Sequence, residues 1–107
     1  MSLDPRTPVI VGAAQVTDRV DDPTQARTPL ELMVDALHSA AIDADAPGCL
    51  PGLDLIGVAG GLWRYTDPGR QVADLVGAVD ASTLVTSWSG HSPQLLLNDL
   101  AARIRAG

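Results

Sequence analysis

The sequence is poor in cysteine and in aromatic residues. It has one cysteine, Cys49, and no phenylalanine, and aromatic residues make up 3% of its 107 positions. A single cysteine cannot form an internal disulfide, so nothing indicates an oxidising compartment and a cytoplasmic location is expected. No apolar run approaches the roughly 18 to 20 residues that cross a bilayer, so no membrane span is expected. Met1 to Thr7 lacks the hydrophobic core of a signal peptide.

Basic residues are also few. Seven Lys and Arg residues stand against 13 Asp and Glu residues, and the formal net charge is −6. The basic residues are scattered along the chain, so binding to nucleic acid or to anionic lipid is disfavoured. Two isolated histidines, His38 and His91, together with one cysteine give no metal-ligand spacing, and no metal site is predicted. Cys49 lies in a Pro/Gly loop far in sequence from either histidine and is interpreted as a small residue without a catalytic role.

The residues that are abundant are aliphatic. Hydrophobic residues form 46% of the chain, which is typical of one globular domain with an aliphatic core. The pattern predicts three strands, which are Pro8 to Val11, Leu53 to Ala59 and Thr83 to Ser89. Thr17 to Arg27 is predicted to be a loop, in which the carboxylates of Asp18, Asp21 and Asp22 are solvated.

Cap signals predict three helices. Thr28-Pro29 with Glu31 begins the first, which ends near Asp45 before Pro47-Gly48. Asp67-Pro68 begins the second, which closes at Gly77. Ser92-Pro93 begins the third, whose apolar residues occupy more than one face. The resulting fold class is α/β, a parallel and right-handed β-α-β-α-β-α segment.

This set of elements leaves much of its own surface uncovered. Three parallel strands have two faces and two unpaired edges, and three helices cannot cover them while also burying the third helix. The chain therefore reads as a piece of a larger sheet, or as a protein that completes its core with a partner.

Two glycine- or serine-rich turns are candidates for chemistry. Gly57 to Gly61 has the wrong spacing for a dinucleotide fingerprint, so nucleotide binding is disfavoured. Thr86 to Gln94 joins the third strand to the third helix, and the positive end of a helix dipole is a suitable place for a nucleophile. A Ser92 nucleophile with a His91 base is conceivable. The commoner roles are Ser92 as the helix N-cap and His91 as a turn residue.

Aromatic and basic residues cluster after the second strand. Arg64 and Arg70, with Trp63 and Tyr65, could recognise an anionic cofactor by stacking and bidentate hydrogen bonds. Packing of the two aromatic rings against neighbouring elements, with both arginines facing solvent, is an equally good interpretation.

Several segments together resemble the N-terminal segment of thiolases. In that family the strand–turn–helix element reads approximately N-x-x-C-x-S/T-G and its helix ends I-x-x-G. Here the segment from Ile104 to Gly107 matches the ending, and Ser92 falls at the Ser/Thr position. Further similarities cover nearly the whole chain: Pro8 to Gly12 for the opening strand, Thr28 to Ala41 for the first long helix, and Asp54 to Gly61 for the second strand.

The sequence is most similar to a divergent actinobacterial branch of thiolase-like proteins, described as acetyl-CoA acetyltransferases. Their stretches R-G-L-W-R-Y-x-D-P-G-R and G-G-N-S-P-Q resemble the segments from Gly61 to Arg70 and from Ser89 to Gln94. The resemblance implies that residues 1–107 are an incomplete N-terminal part of a thiolase-like domain. It also implies acyl transfer on a coenzyme A thioester, no tightly bound cofactor, and a dimer or larger assembly with a contact through Thr83 to Ser89.

One position departs from the thiolase pattern. Counting back from Ile104 and Gly107, the place of the thiolase cysteine is taken by Gly90, which has no side chain to acylate. The usual catalytic cysteine is therefore absent, and whether the chain is an enzyme stays open. The alternative is a non-catalytic thiolase-like binding or assembly module.

Overall fold

The computed structural model of the protein describes residues 4–107 and has the predicted α/β class. Two strands, β1 (Leu55–Val58) and β2 (Ser82–Val85), form a parallel sheet in which Leu55 pairs with Ser82 and Val58 pairs with Val85. The helices are α1 (Pro29–Asp43), α2 (Pro68–Val76) and α3 (Ser92–Ala106). Short 3-10 turns lie at Pro23–Gln25 and Leu50–Gly52.

The first two helices begin where their local sequences predict. The Thr28 hydroxyl accepts a hydrogen bond from the Glu31 amide at 3.2 Å, and the Glu31 carboxylate accepts one from the Thr28 amide at 3.2 Å, which completes a capping box. In α2 the Asp67 carboxylate accepts from the Arg70 amide at 3.1 Å. Gly77, at φ 84°, ends α2 in the left-handed conformation that glycine tolerates best.

The core lies between α2, the sheet and α1. Val72 and Ala73 of α2 are buried together with Ile56 of β1. Adjacent residues of a strand face opposite sides of a sheet, and Leu96 of α3 packs where a Cβ of Gly57 would lie, 2.7 Å from its Cδ1. Helices α2 and α3 therefore cover opposite faces of β1.

The predicted first strand does not form. Residues 8–11 belong to no strand or helix, and Val9, Ile10 and Val11 are 63%, 80% and 75% exposed. A strand needs a hydrogen-bonded neighbour, and β-branched side chains on both of its sides need two covering layers. The chain instead passes α1 at Gly12, where a Cβ would lie 2.4 Å from the Ala40 carbonyl oxygen.

The apolar surface of the third helix is largely uncovered, which agrees with the expectation that three helices cannot cover the sheet and also bury this helix. Leu95, Leu97 and Ile104 of α3 are 57%, 52% and 49% exposed. Among the described elements α3 packs only against β1, so most of its apolar surface has no covering layer.

The loop over residues 17–27 is confirmed, apart from its one 3-10 turn. Two of its three carboxylates are not merely solvated: Asp18 accepts from the Arg27 amide at 2.9 Å, and Asp22 accepts from the amide and the hydroxyl of Thr24. These two hydrogen bonds lower the pKa of Asp22. A hydrogen bond with Asp35 raises the pKa of Arg27.

Over residues 4–107, no helix has both the length and the apolar character needed to cross a membrane.

Candidate functional site

The candidate site lies at the carboxyl edge of the sheet. Because β1 and β2 are parallel, the loops that follow them leave from the same edge. The Thr86 amide donates to the Val58 carbonyl at 3.1 Å, and the Gly60 amide donates to the Thr86 hydroxyl at 3.2 Å. These two bonds hold the β1 loop directly against the segment that leads into α3.

Gly60 makes this approach possible. A Cβ built on Gly60 would lie 2.5 Å from the Thr86 carbonyl oxygen and 2.8 Å from the Trp88 amide nitrogen. Both neighbours are backbone atoms, which cannot turn away as a flexible side chain can. The sequence drew attention to Gly60 only as part of the Gly57 to Gly61 turn, and its contact with residues 86–88 was not predicted.

Ser92 is buried at the start of α3 and is 1% exposed. Its hydroxyl donates to the Ser87 carbonyl, and the Ser89 hydroxyl lies 3.0 Å from it. The N-cap residue is His91, whose side chain makes no capping hydrogen bond, so the prediction of Ser92 as the N-cap is wrong by one position. The reason is tertiary: the hydroxyl stabilises the loop after β2 instead of the first turn of α3.

The side chains of Ser92 and His91 do not form a nucleophile–base pair. The His91 side chain is exposed, and within residues 4–107 no hydrogen bond joins it to the Ser92 hydroxyl, which is committed to Ser87. A serine nucleophile needs a base in hydrogen-bond contact and access for a substrate. The structure assembles neither around Ser92.

We expect Ser92→Ala to destabilise the fold by about 1 to 3 kcal/mol, because it leaves the Ser87 carbonyl without its donor in a partly buried setting. Urea unfolding followed by circular dichroism measures this change. Ser89→Ala is the matched control, since Ser89 is exposed, and should cost less than about 1 kcal/mol. Equal costs for the two variants would contradict the assignment of Ser92 as the anchor of the loop.

Gly90 stands at the position that the resemblance assigns to the nucleophile. It is exposed, and a Cβ built on it meets no atom within 4 Å. Its φ lies outside the left-handed region, which is occupied only by Gly77 and Gly107 among the described glycines. Neither packing nor backbone conformation therefore requires glycine at this position. Because Gly90 has no side chain, the space next to the N-terminus of α3 is open.

The two arginines proposed for anion binding have different surroundings. The Arg70 guanidinium donates to the Ala81 carbonyl at 2.9 Å, to the Ala78 carbonyl at 3.1 Å and to the Val79 carbonyl at 3.2 Å. Its Nε also lies 3.3 Å from a carboxylate oxygen of Asp74. Arg70 thus fastens the α2–β2 connection to α2 with three of its guanidinium N–H donors.

Arg64 is exposed and lines a shallow cavity of about 380 Å³ together with Arg70, Tyr65 and Gln71, so the structure brings the two predicted arginines to one cavity. The rings of Trp63 and Tyr65 lie 6.3 Å apart at 35°, and the Trp63 ring occupies the space where a Cβ of Gly61 would be. Trp63 also lines a groove of about 410 Å³ between α1 and β1. Trp63 therefore packs on its own loop and on this groove, whereas Tyr65 lines the cavity beside Arg64.

We expect Arg70→Ala to lower the free energy of unfolding by about 2 kcal/mol, because three backbone carbonyls lose a charged donor. The exposed Arg64→Ala is the control and should change it by less than about 0.5 kcal/mol. Thermal unfolding compares the two variants. If the Arg64 variant were the more destabilised, the roles given to the two arginines would be reversed.

The remaining polar candidates stand apart from this edge. Cys49 precedes the Leu50–Gly52 turn and is exposed, and His38 is exposed on α1. In the part of the chain that the structure describes, no group of three or more His, Cys, Asp or Glu side chains is placed to hold a metal ion.

Comparison with known proteins gives a likeness in fold. The chain matches no family model and no curated protein. Its fold is similar to the crystal structure of a monomeric SCP2-thiolase like protein type 1 from Mycobacterium smegmatis, with a TM-score of 0.82 and 31% sequence identity. The match covers 99% of this chain and 22% of that chain. The chain thus has a thiolase-like fold and spans about a fifth of the length of that relative.

Proposed function

We propose that the protein handles acyl-coenzyme A thioesters at the junction of β2 and α3, and that it does so without forming a covalent acyl intermediate on this segment. The thiolase-like fold supports the substrate class. The observation that carries the second part is Gly90, which leaves open space and no nucleophile in front of α3.

Backbone donors at the junction suit a thioester carbonyl. Within residues 4–107 the amide groups of Gly90 and His91 donate no hydrogen bond, and both precede the N-terminus of α3. Free N–H groups at the positive end of a helix stabilise negative charge on an acyl oxygen. Because Gly90 has no side chain, a ligand can approach this backbone closely.

Amide chemical shifts measured during titration test the proposal. We expect acetyl-coenzyme A to shift the Gly90 and His91 amide signals of the 107-residue chain, while free coenzyme A shifts them less. The variant His91→Pro removes one of the two amide donors. The control is Val79→Pro, which places the same residue in the exposed loop after α2. Shifts confined to other parts of the chain, or equal shifts from coenzyme A alone, would refute the proposed site.

A non-catalytic binding or assembly module is the second candidate. The side of β2 that faces away from β1 favours it, because no described strand pairs with that side. Within the described chain β2 has one neighbour, β1, so its other edge is free, and Val85 on it is 40% exposed. The contact through residues 83–89 that the resemblance implies would use this edge.

An assay of acetoacetyl-coenzyme A thiolysis distinguishes a catalytic protein from the two non-covalent functions proposed above. We expect no turnover by the chain, because Ser92 is buried and tied to Ser87. Turnover that disappears in Ser92→Ala, with the variant still folded by circular dichroism, would show that Ser92 is catalytic and that the proposal of non-covalent handling is wrong.

A further inference from the structure

A polar cavity beside the first turn of α2 belongs neither to the core nor to the junction of β2 and α3. Its lining residues are Arg64, Tyr65, Thr66, Asp67, Arg70 and Gln71. Its volume of about 380 Å³ lies within the range of roughly 300 to 1,000 Å³ in which small ligands bind. Two guanidinium groups thus line one small concave space in a chain whose formal net charge is −6.

Arg70 gives this cavity a guanidinium group in a fixed position. The carbonyl groups of Ala78, Val79 and Ala81 accept hydrogen bonds from its Nη1 and Nη2 at 2.9 to 3.2 Å. Its Nε lies 3.3 Å from a carboxylate oxygen of Asp74. A guanidinium group has five N–H donors, so one N–H of Nη1 stays available to a ligand. Binding does not have to order this long side chain, because the protein has already done so.

Arg64 gives the cavity a positive charge that no carboxylate pairs with. The ion pairs within residues 4–107 involve three other arginines. Asp67 also lines the cavity, but its two carboxylate oxygens accept hydrogen bonds from the Arg70 amide at 3.1 Å and from the Thr83 hydroxyl at 3.0 Å. The planar fork of an arginine donates two parallel N–H bonds to a phosphate group, so an unpaired arginine suits this anion.

Tyr65 and Gln71 add neutral groups to the lining. Tyr65 is half-buried, and its ring lies 6.3 Å from that of Trp63, which supports it. Around the cavity, the side-chain hydrogen bonds formed within residues 4–107 are those of Arg70, Asp67 and Thr83. The Tyr65 hydroxyl and the Gln71 amide therefore remain available. The ring of Tyr65 offers an aromatic surface on which a planar group packs.

We propose that this cavity binds a small phosphate monoester that carries a planar ring, with Arg64 and Arg70 donating to the phosphate and the ligand ring packing on Tyr65. A phosphate monoester has a charge of about −1.5 to −2 at neutral pH, which matches two guanidinium groups. The Gln71 amide donates to a remaining phosphate oxygen. The site is independent of acyl-thioester handling, because Gly90 and His91 do not line this cavity.

Chemical shifts measured during titration of the 107-residue chain test the ligand class. The probes are phenyl phosphate, inorganic phosphate and phenol. We expect saturable shifts of the Gln71 side-chain amide with both phosphates, and binding of phenyl phosphate at least about threefold tighter because its ring packs on Tyr65. Phenol, which has the ring alone, should shift this signal far less. No saturable shift with either phosphate would overturn the proposal. Equal dissociation constants would overturn the role of Tyr65 and identify free phosphate as the ligand.

Arg64→Gln tests whether the unpaired arginine holds the phosphate. We expect the dissociation constant for phenyl phosphate to rise at least about fivefold, because a charged donor is lost. Arg64→Lys should weaken binding less, since it keeps the charge and loses only the fork. Arg19→Gln removes the same charge from an exposed residue outside the cavity, and at about 0.15 M salt it should change binding by less than about twofold. Equal weakening by Arg64→Gln and Arg19→Gln, with both variants folded by circular dichroism, would show a response to overall charge and overturn the site.

Discussion

Gly90→Cys, made in a Cys49→Ser background, is expected to give the protein a reactive thiol at the junction of β2 and α3. The side chain fits, because a Cβ at this position meets no atom within 4 Å and the backbone φ is ordinary. Thiol pKa values fall near helix N-termini, so the thiolate fraction at neutral pH rises. We expect reaction with a disulfide reagent to be about threefold to tenfold faster than that of an isolated thiol with a pKa near 8.5.

Gly48→Cys in the same background is the matched control. Gly48 is also exposed, and its Cβ also meets nothing within 4 Å, but it precedes no long helix. We expect its thiol to titrate near the ordinary value for cysteine. Acetyl-coenzyme A should add an acetyl group to the Gly90 variant faster than to the Gly48 variant, as intact mass shows. Equal thiol pKa values would mean that α3 provides no favourable field at position 90.

Gly60→Ala is expected to be the most destabilising single-methyl change at the candidate site. Its Cβ would lie 2.5 Å from the Thr86 carbonyl oxygen and 2.8 Å from the Trp88 amide nitrogen, so one of the two loops has to move. Overpacking against backbone costs about 3 kcal/mol, and the displacement would also break the bond from the Gly60 amide to the Thr86 hydroxyl. Chemical unfolding followed by circular dichroism measures the loss.

Gly48→Ala is the comparison, because the same methyl group enters open space there. We expect it to change the free energy of unfolding by less than about 1 kcal/mol, in the stabilising direction if the native φ suits alanine. If Gly60→Ala unfolded at the same denaturant concentration as Gly48→Ala, the close contact between the loops after β1 and β2 would be absent in solution.

Helix starts were predictable from sequence because their determinants are local. Thr28, Pro29 and Glu31 carry the whole capping box of α1 within four residues, and Asp67 with Pro68 begins α2. Gly77 ends α2 for an equally local reason, since its backbone adopts a positive φ. The parallel pairing of β1 with β2 followed from the intervening helix, which requires a crossover connection.

The predictions that were wrong depended on contacts with residues distant in sequence, which a local pattern does not contain. Residues 8–11 have strand composition, but no strand forms without a neighbour on its edge. Ser92 was predicted as a cap, whereas its hydroxyl is used by the Ser87 carbonyl five residues earlier. The sequence also does not show that three carbonyls of residues 78–81 accept hydrogen bonds from Arg70.

Gly90 illustrates the opposite case, in which comparison with a family pattern was more informative than local rules. No turn or packing requirement explains this glycine, and only the alignment on Ile104 and Gly107 assigns it to the nucleophile position. The structure adds that the position is open and that the neighbouring Ser92 hydroxyl is buried.

Intact mass of the Cys49→Ser chain after incubation with acetyl-coenzyme A tests the absence of covalent acyl capture most directly. This background removes the exposed thiol, which could otherwise be acetylated without any site. The account predicts an unmodified chain, because position 90 has no acceptor and the Ser92 hydroxyl is buried against Ser87. One acetyl group per chain, located at Ser92 or His91 by fragmentation, would contradict it.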